Sequence, residues 1–252
     1  MPEWPIGPDS KSGVRVSVPW VRIPPSPPVF KKVLYLKWDN NFYLCFPQLV
    51  PRCKPFLGGL AGTIEMMTAY HGTSHEIGGI IVKSKSYKMS KGDQHWLGDG
   101  VYFFLESIFS RDPSKDAAQW AKLSAYDKQS RSYRYNNYVV IKNSINSCRI
   151  WDLSTEDGAE IFLTIKEKIT DKIMAAKKSI KYGPLDGVII NYALNEIPAI
   201  LFDAVKNNLF IKLSAEERIN RIGLSQPNCT VLAVRNESVI NVIGVQEEGT
   251  VS

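Results

Sequence analysis

From residue 66 onward, short apolar runs alternate with polar segments along the chain. Seven runs rich in β-branched and aromatic residues predict strands. They fall at 68–71, 100–105, 138–142, 148–153, 187–192, 209–213 and 230–235. Proline and glycine near residues 184, 187 and 227 mark turns close to the later runs.

Two longer segments have helical spacing instead. Asp112 followed by Pro113 is typical of a helix start, so a helix is predicted over 114–125. A second helix is predicted after Ser154, which with Asp157 resembles a capping box. Apolar residues recur along it at helical spacing, at Ile161, Phe162, Ile165, Ile169 and Ile173.

The remaining segments are weaker in pattern. Residues 77–83 form a short apolar segment that predicts one helical turn. Residues 84–96 predict a loop, and the acidic tail after Val245 predicts a frayed end. Strands mixed with two clear helices favour an α+β fold with a mixed or largely antiparallel sheet over residues 66–252.

Residues 1–65 differ in composition from the rest of the chain. They hold eleven of the fifteen prolines, and eight Lys and Arg residues against four Asp and Glu. Proline runs such as 24–28 cannot form a helix or a central strand, so we expect this segment to be disordered. The runs 33–36 and 42–46 could form strands if part of it is a real appendage.

Residues 1–28 also resemble a translated serine tRNA gene. Val21–Pro28 reads like the T-loop followed by the terminal CCA, and Asp9–Gly13 like the anticodon arm. We therefore expect residues 1–65 not to belong to the natural protein, with Met66 or Met67 as the start. The hypothesis places the gene beside a tRNA, where bacterial mobile elements insert.

The net charge, the cysteines and the lack of long apolar runs limit the possible partners and the location of the protein. The net charge is +6, but most of it falls before residue 66, so the remaining domain predicts no electrostatic footprint for nucleic acid. Four scattered cysteines, no secretory signal and no run long enough to span a bilayer predict a cytoplasmic protein without a membrane partner.

Two neighbouring stretches carry the candidate chemistry. Residues 70–74 read Tyr-His-Gly-Thr-Ser at a strand end, and residues 98–103 read Gly-Asp-Gly-Val-Tyr-Phe. Each alone has a plain structural explanation, as a satisfied histidine or a core aromatic run. A zinc site would need His71 and His75 on one helix, which Gly72 opposes, so no metal is predicted.

Together with Ala117-Ala118-Gln119-Trp120-Ala121, these stretches resemble the ADP-ribosyltransferase superfamily, in the poly(ADP-ribose)-polymerase-like and diphtheria-toxin-like branch with a His-Tyr-Glu signature. The resemblance covers about residues 68–245, with specific motifs at some 20 positions. It implies a split β-sheet core with flanking helices, and NAD as a substrate.

The resemblance also implies residue roles. His71 would bind a ribose 2′-hydroxyl, Gly72 would hold the nicotinamide carboxamide through its backbone, and Thr73 would support that pocket. Tyr102 would stack on the nicotinamide ring, with Gly98 and Gly100 turning the chain into its strand. His71 and Tyr102 are thus the predicted catalytic residues, and His71, Gly72, Thr73, Gly100 and Tyr102 the predicted NAD-binding residues.

The third motif departs from the family. The strand 229–234 followed by Arg235-Asn236 matches the strand that normally opens with a glutamate, but Val231 falls at the acidic position. Gln226, Thr230 and Glu237 are near it in sequence, but none of them falls on that position. This pattern favours mono-ADP-ribosyl transfer over chain extension.

The resulting hypothesis is an NAD-dependent mono-ADP-ribosyltransferase acting on a protein or nucleic-acid acceptor, as a toxin or phage-defence effector. The alternative is a catalytically silent NAD- or ADP-ribose-binding module of the same fold. An RNA 2′-phosphotransferase and a plain interaction protein are further rivals.

Overall fold

The structure is a computed structural model. It describes the backbone of residues 34–38 and 41–45 and, at full detail apart from the side chains of 172–176, a larger part of the chain. That part comprises residues 66–92, 95–109, 112–147, 149–176, 186–197, 200–214 and 226–251.

Strands β1 (Leu34–Trp38) and β2 (Asn41–Cys45) form an antiparallel hairpin. They coincide with the strands that the sequence allows at 33–36 and 42–46. The hairpin belongs to one compact unit, Met1–Cys45, and all later elements belong to another, Phe46–Ser252. The disorder expected for the rest of residues 1–65, and the tRNA-like segment 1–28, lie outside the described residues.

The second unit is built on a seven-stranded mixed sheet, which together with its helices makes the fold α+β. The strands of this sheet are β3 (Met66–Ser74), β4 (Val101–Leu105), β7 (Asn137–Asn146), β8 (Ile150–Asp152), β9 (Ala204–Leu209), β10 (Cys229–Val234) and β11 (Ile240–Thr250). Their spatial order is β11-β7-β3-β4-β10-β9-β8, and every neighbouring pair is antiparallel except β8 with β9. A small separate hairpin joins β5 (Tyr126–Asp127) to β6 (Ser132–Tyr133).

Four helices accompany the sheet in the described residues: α1 (His75–Ser84), α2 (Pro113–Ala125), α3 (Glu156–Ala176) and α4 (Asp186–Glu196). Asp112 caps α2 as predicted, accepting a hydrogen bond from the Lys115 amide. The cap of α3 is Thr155 rather than Ser154, because the Thr155 hydroxyl accepts the Gly158 amide at 3.1 Å.

Each face of the sheet covers its own apolar core. On one face, Phe104, Val140 and Val231 pack with the alanines of α2 and the isoleucines of α3. On the other face, Val139 and Ile141 pack with side chains that include Ile81 of α1. The helical stripe predicted at Ile161, Ile165 and Ile169 is confirmed as buried.

Three sequence predictions of local structure are wrong. Residues 187–192 belong to α4, because Gly187, Ile190 and Ala193 bury one helical face. The strand expected at 209–213 ends at Leu209, since the Asn228 side chain bonds both backbone groups of Ile211. The acidic tail is the long strand β11, not a frayed end.

The segment 77–83 also gives more than one helical turn. It lies in the ten-residue helix α1, which Ser74 caps by accepting the Ile77 amide at 3.3 Å. Among the described residues, no helix is both long and apolar enough to cross a membrane.

Candidate functional site

The sheet splits between β3 and β4, and the split creates the candidate site. β3 pairs with β7 along its whole length, from Met66 to Ser74. It pairs with β4 at only two positions, Ala69 with Leu105 and Tyr70 with Phe104. From His71 onward, the side of β3 that faces β4 is therefore open to a cleft instead of to a strand.

His71 spans the gap that the diverging strands leave. Its Nδ1 lies 2.8 Å from the backbone oxygen of Tyr102 on β4. A carbonyl oxygen can only accept, so Nδ1 carries the proton and Nε2 is left as an acceptor. The imidazole opens partly onto the cleft, yet burial lowers its pKa and keeps the ring neutral near pH 7.

Two aromatic rings fix the plane of the His71 imidazole. Tyr87 and Phe103 meet it edge-on, with ring centroids 5.2 Å and 5.7 Å away. The Tyr87 hydroxyl donates to Asn143 Oδ1 at 2.8 Å, and the fully buried Asn143 amide donates to the Ile141 backbone oxygen. The sequence did not indicate Tyr87 or Asn143 as supporting residues, because Asn143 reaches β3 only through the β3–β7 register.

Tyr102 is held at its hydroxyl end by a tight turn. The hydroxyl donates to the Gly98 oxygen at 2.7 Å and accepts the Leu97 amide at 3.0 Å. Gly98 has φ +74°, a left-handed conformation that favours glycine, which agrees with its predicted turn role. Burial is the main cause that raises the pKa of Tyr102, so the phenol stays protonated.

The same turn is fastened to α4. The Asn191 amide oxygen accepts the Asp99 backbone amide at 2.7 Å and Arg235 Nη1 at 2.9 Å. Its amide nitrogen donates to the Asp99 carboxylate at 3.1 Å. Asn191 therefore ties the Tyr102 turn to the end of β10. No sequence signal indicated it, because residues 187–192 were predicted as a strand.

The predicted glycines lie in tightly packed places. A Cβ on Gly72 would come within 1.9 Å of the Ala117 backbone oxygen, so α2 can pack on β3 only through a glycine there. Gly100 is buried against the backbone of β10 and does not line the cleft, although its strand leads directly to Tyr102. Thr73 lines the cleft beside Gly72.

One cleft of about 1600 Å³ brings the predicted residues together. His71, Gly72, Thr73 and Tyr102 all line it. The other lining residues used below are Glu76, Trp96, Trp120, Arg134, Tyr135, Val231 and Glu237. Its volume exceeds the 300–1,000 Å³ usual for ligand pockets, which leaves room for more than one small ligand.

The β10 side of the cleft is apolar at position 231, where the third motif would place its acid. Val231 lies opposite Phe104 of β4, and its side chain is 2% exposed. Neighbouring Thr230 donates its hydroxyl to Asn208 Oδ1, while Gln226 is exposed and does not line the cleft. Among the described residues, the acids that line the cleft are Glu76 and Glu237.

The described residues contain no group of three or more His, Cys, Asp or Glu side chains placed to hold a metal ion. No protein-family profile matches the chain. It is 31% identical over 128 residues to a protein of Methanocaldococcus jannaschii described as uncharacterized. The matched region covers 50% of this chain and 55% of that protein, so the chain spans about half the length of its relative.

Proposed function

We propose that the protein is an NAD-dependent mono-ADP-ribosyltransferase whose NAD site is the cleft between β3 and β4. One observation carries the proposal. The sheet splits where the His-Gly-Thr and Gly-Asp-Gly-Val-Tyr stretches lie, and the split turns His71, Thr73 and Tyr102 toward one cleft.

The open side of β3 supports a dinucleotide substrate. Beyond Tyr70, the backbone of β3 has no β4 partner, so a planar carboxamide can take the place of a strand beside it and bond to its amide and carbonyl groups. The neutral His71 offers Nε2 as an acceptor for a ribose hydroxyl, while its Nδ1–H stays bound to Tyr102. The Tyr102 ring provides an immobile aromatic surface because its hydroxyl is held by Gly98 and Leu97.

The reaction needs little acid–base help. The bond between ribose C1′ and the nicotinamide nitrogen breaks, and its electron pair neutralises the positively charged ring, which leaves as nicotinamide. A lone pair of the acceptor then bonds to C1′, and the acceptor loses a proton to water. The protein's share is geometry and a fixed polar environment for a short-lived, positively charged ribose.

A silent NAD- or ADP-ribose-binding module is the second candidate, and Val231 is the observation that favours it. A buried valine cannot orient a hydroxyl or activate an acceptor. The two candidates share the binding site and differ only in bond cleavage.

The test measures nicotinamide release from NAD and transfer of a label from the adenylate half of NAD to lysate macromolecules. We expect the full chain to release nicotinamide, and His71→Ala and Tyr102→Ala each to lower the rate by tenfold or more, that is by about 1.4 kcal/mol or more in barrier. NAD binding by calorimetry without nicotinamide release would favour the silent module.

Matched controls separate this loss from unfolding. His75→Ala removes a histidine that is exposed and lies outside the cleft, and Phe109→Ala removes an exposed aromatic ring outside the cleft. Both should keep the wild-type rate of nicotinamide release. If neither NAD binding nor release is found, or if the His71 and Tyr102 variants keep full activity, the proposal is wrong.

A further inference from the structure

A short hairpin beside the cleft concentrates charge and aromatic rings that the domain as a whole does not show. Residues 126–135, which include β5 and β6, contain one acid, Asp127. They also contain three basic and three aromatic residues: Lys128, Arg131, Arg134, Tyr126, Tyr133 and Tyr135. The near-neutral balance of residues 66–252 conceals this local cluster.

The hairpin presents these groups outward. Tyr126 and Tyr133 are cross-strand partners, 45% and 51% exposed, with ring centroids 5.7 Å apart at 72°. Lys128 and Arg131 are exposed at the tip. Arg134 is also exposed, and its nearest carboxylate oxygen, on Asp127, is 3.9 Å away, which is a weak pairing.

The cluster continues into the cleft without a break in the chain. Arg134 and Tyr135 line the cleft, and the Tyr135 hydroxyl donates to the Ala121 oxygen at 2.5 Å, which fixes its ring. The half-buried rings of Trp96 and Trp120 line the same cleft, 5.8 Å apart at 60°. The exposed tyrosines and cations of the hairpin are therefore joined through Arg134 and Tyr135 to a cleft that two tryptophans also line.

We propose that this surface, which we call the Tyr–Arg surface (residues 126–135 with Trp96 and Trp120), binds a single strand of nucleic acid. Unstacked bases stack on aromatic side chains regardless of sequence, and cations beside the rings bind the phosphates. In a duplex, the neighbouring base pairs cover both faces of each base. A double strand therefore cannot stack its bases on Trp96 and Trp120.

Charge decides against a basic protein segment as the occupant. Aromatic rings also bind arginine and lysine side chains, but the cations at 128, 131 and 134 would repel a basic peptide. These three side chains attract phosphates. A nucleic-acid strand carries phosphates and planar bases together, so it matches both the cations and the aromatic rings.

This inference rests on the proposed function in one respect only. If the cleft transfers ADP-ribose, the strand on the Tyr–Arg surface is its acceptor, because the surface leads into the cleft that His71 and Tyr102 line. Strand binding itself requires no NAD, so it is tested separately.

The experiment measures fluorescence anisotropy of labelled 20-nucleotide strands with the full chain and without NAD. Separate arms use single-stranded DNA, single-stranded RNA, the DNA duplex and an acidic peptide of equal charge. We expect either single strand to bind at least fivefold more tightly than the duplex and the peptide. The affinity should fall with salt at a logarithmic slope of about −2, as expected for three phosphate contacts.

Matched variants assign the binding to the surface. Tyr126→Ala with Tyr133→Ala should weaken binding about fivefold or more, whereas the same double change to Phe should retain it. Lys128→Gln with Arg131→Gln should reduce the salt slope, and Lys166→Gln with Lys168→Gln on α3 should leave it unchanged. Circular dichroism confirms that each variant is folded.

The outcomes separate the two proposals. Nicotinamide release together with no strand binding, or with equal binding of strand and acidic peptide, would overturn the Tyr–Arg surface and leave the transferase proposal standing. Strand binding together with neither NAD binding nor nicotinamide release would do the reverse. Loss of binding in the α3 control would also overturn the assignment to the hairpin.

Discussion

At the scale of single residues, the site depends on a histidine that is kept neutral by its surroundings. The Tyr102 carbonyl oxygen accepts a hydrogen bond from the Nδ1–H of His71, and the Tyr87 and Phe103 rings pack edge-on against the imidazole. None of these neighbours carries a charge that would stabilise an imidazolium. His71 should therefore bind a proton less readily in the folded protein than in the unfolded chain.

The pH dependence of stability tests this state. The unfolded chain takes up a proton on His71 near pH 6.5, while the folded protein resists it because burial lowers the pKa. The free energy of unfolding should therefore fall as the pH drops below about 6.5, by at most about 1.4 kcal/mol per pH unit for one proton. Chemical denaturation at pH 7.5 and 5.5 measures the loss.

His71→Gln should lose less stability than the wild type over this range, because an amide does not titrate there. His75→Gln should behave as the wild type in this respect, since it retains the buried histidine. Equal losses in the wild type and His71→Gln would show that His71 is not held neutral.

The sequence named His71 and Tyr102 because each lies in a short local motif. It could not name Tyr87 or Asn143, which support the imidazole. Asn143 lies opposite Ala69 only through the register of β3 and β7, and neither residue has a local signal beyond its residue type. Supporting residues of this kind depend on the long-range pairing of strands.

At the scale of elements, the misassigned segment 187–192 is the most instructive. Its apolar run, Gly-Val-Ile-Ile-Asn-Tyr, suits a buried strand as well as a buried helix, and periodicity cannot separate the two for short runs. The structure shows helix α4, which places Asn191 against the Gly98-Asp99-Gly100 turn. A helix here changes the site because it fixes the turn that holds Tyr102.

Asn191→Ala should destabilise the protein by about 1–3 kcal/mol, because the half-buried Asp99 amide and Arg235 guanidinium lose their acceptor. Denaturant unfolding at pH 7.5 measures the loss. Asn195→Ala is the matched control one turn along α4. The Asn195 side-chain oxygen accepts a hydrogen bond from Arg235 Nη2 at an exposed position. Its removal should lower the free energy of unfolding by less than about 1 kcal/mol. A neutral Asn191→Ala would mean that α4 does not secure the turn.

At the scale of the whole second unit, one edge of the sheet is β11, whose second half, after Val245, the sequence predicts as a frayed tail. Acidic and glycine residues gave it the composition of a free end, yet β11 pairs with β7 from Ile240 to Thr250. Two register shifts accommodate Ile243 and Gln246, and Gly244 has φ +159° at the first. The α+β class was predictable from local patterns, but the sheet edge depends on a pairing across about 100 residues.

Two neighbouring apolar residues of β11 test whether this edge belongs to the core. Val242 is 5% exposed and packs in the core on the α1 face, and its backbone oxygen accepts a hydrogen bond from Lys85 Nζ. Ile243 is 53% exposed. Val242→Ala should cost about 1–2.5 kcal/mol of unfolding free energy from lost burial and the cavity left behind. Ile243→Ala should cost less than about 1 kcal/mol, although it removes more carbon atoms. If β11 did not pair with β7, both substitutions would be neutral, so equal and negligible losses in chemical denaturation would contradict the assignment of β11 to the sheet.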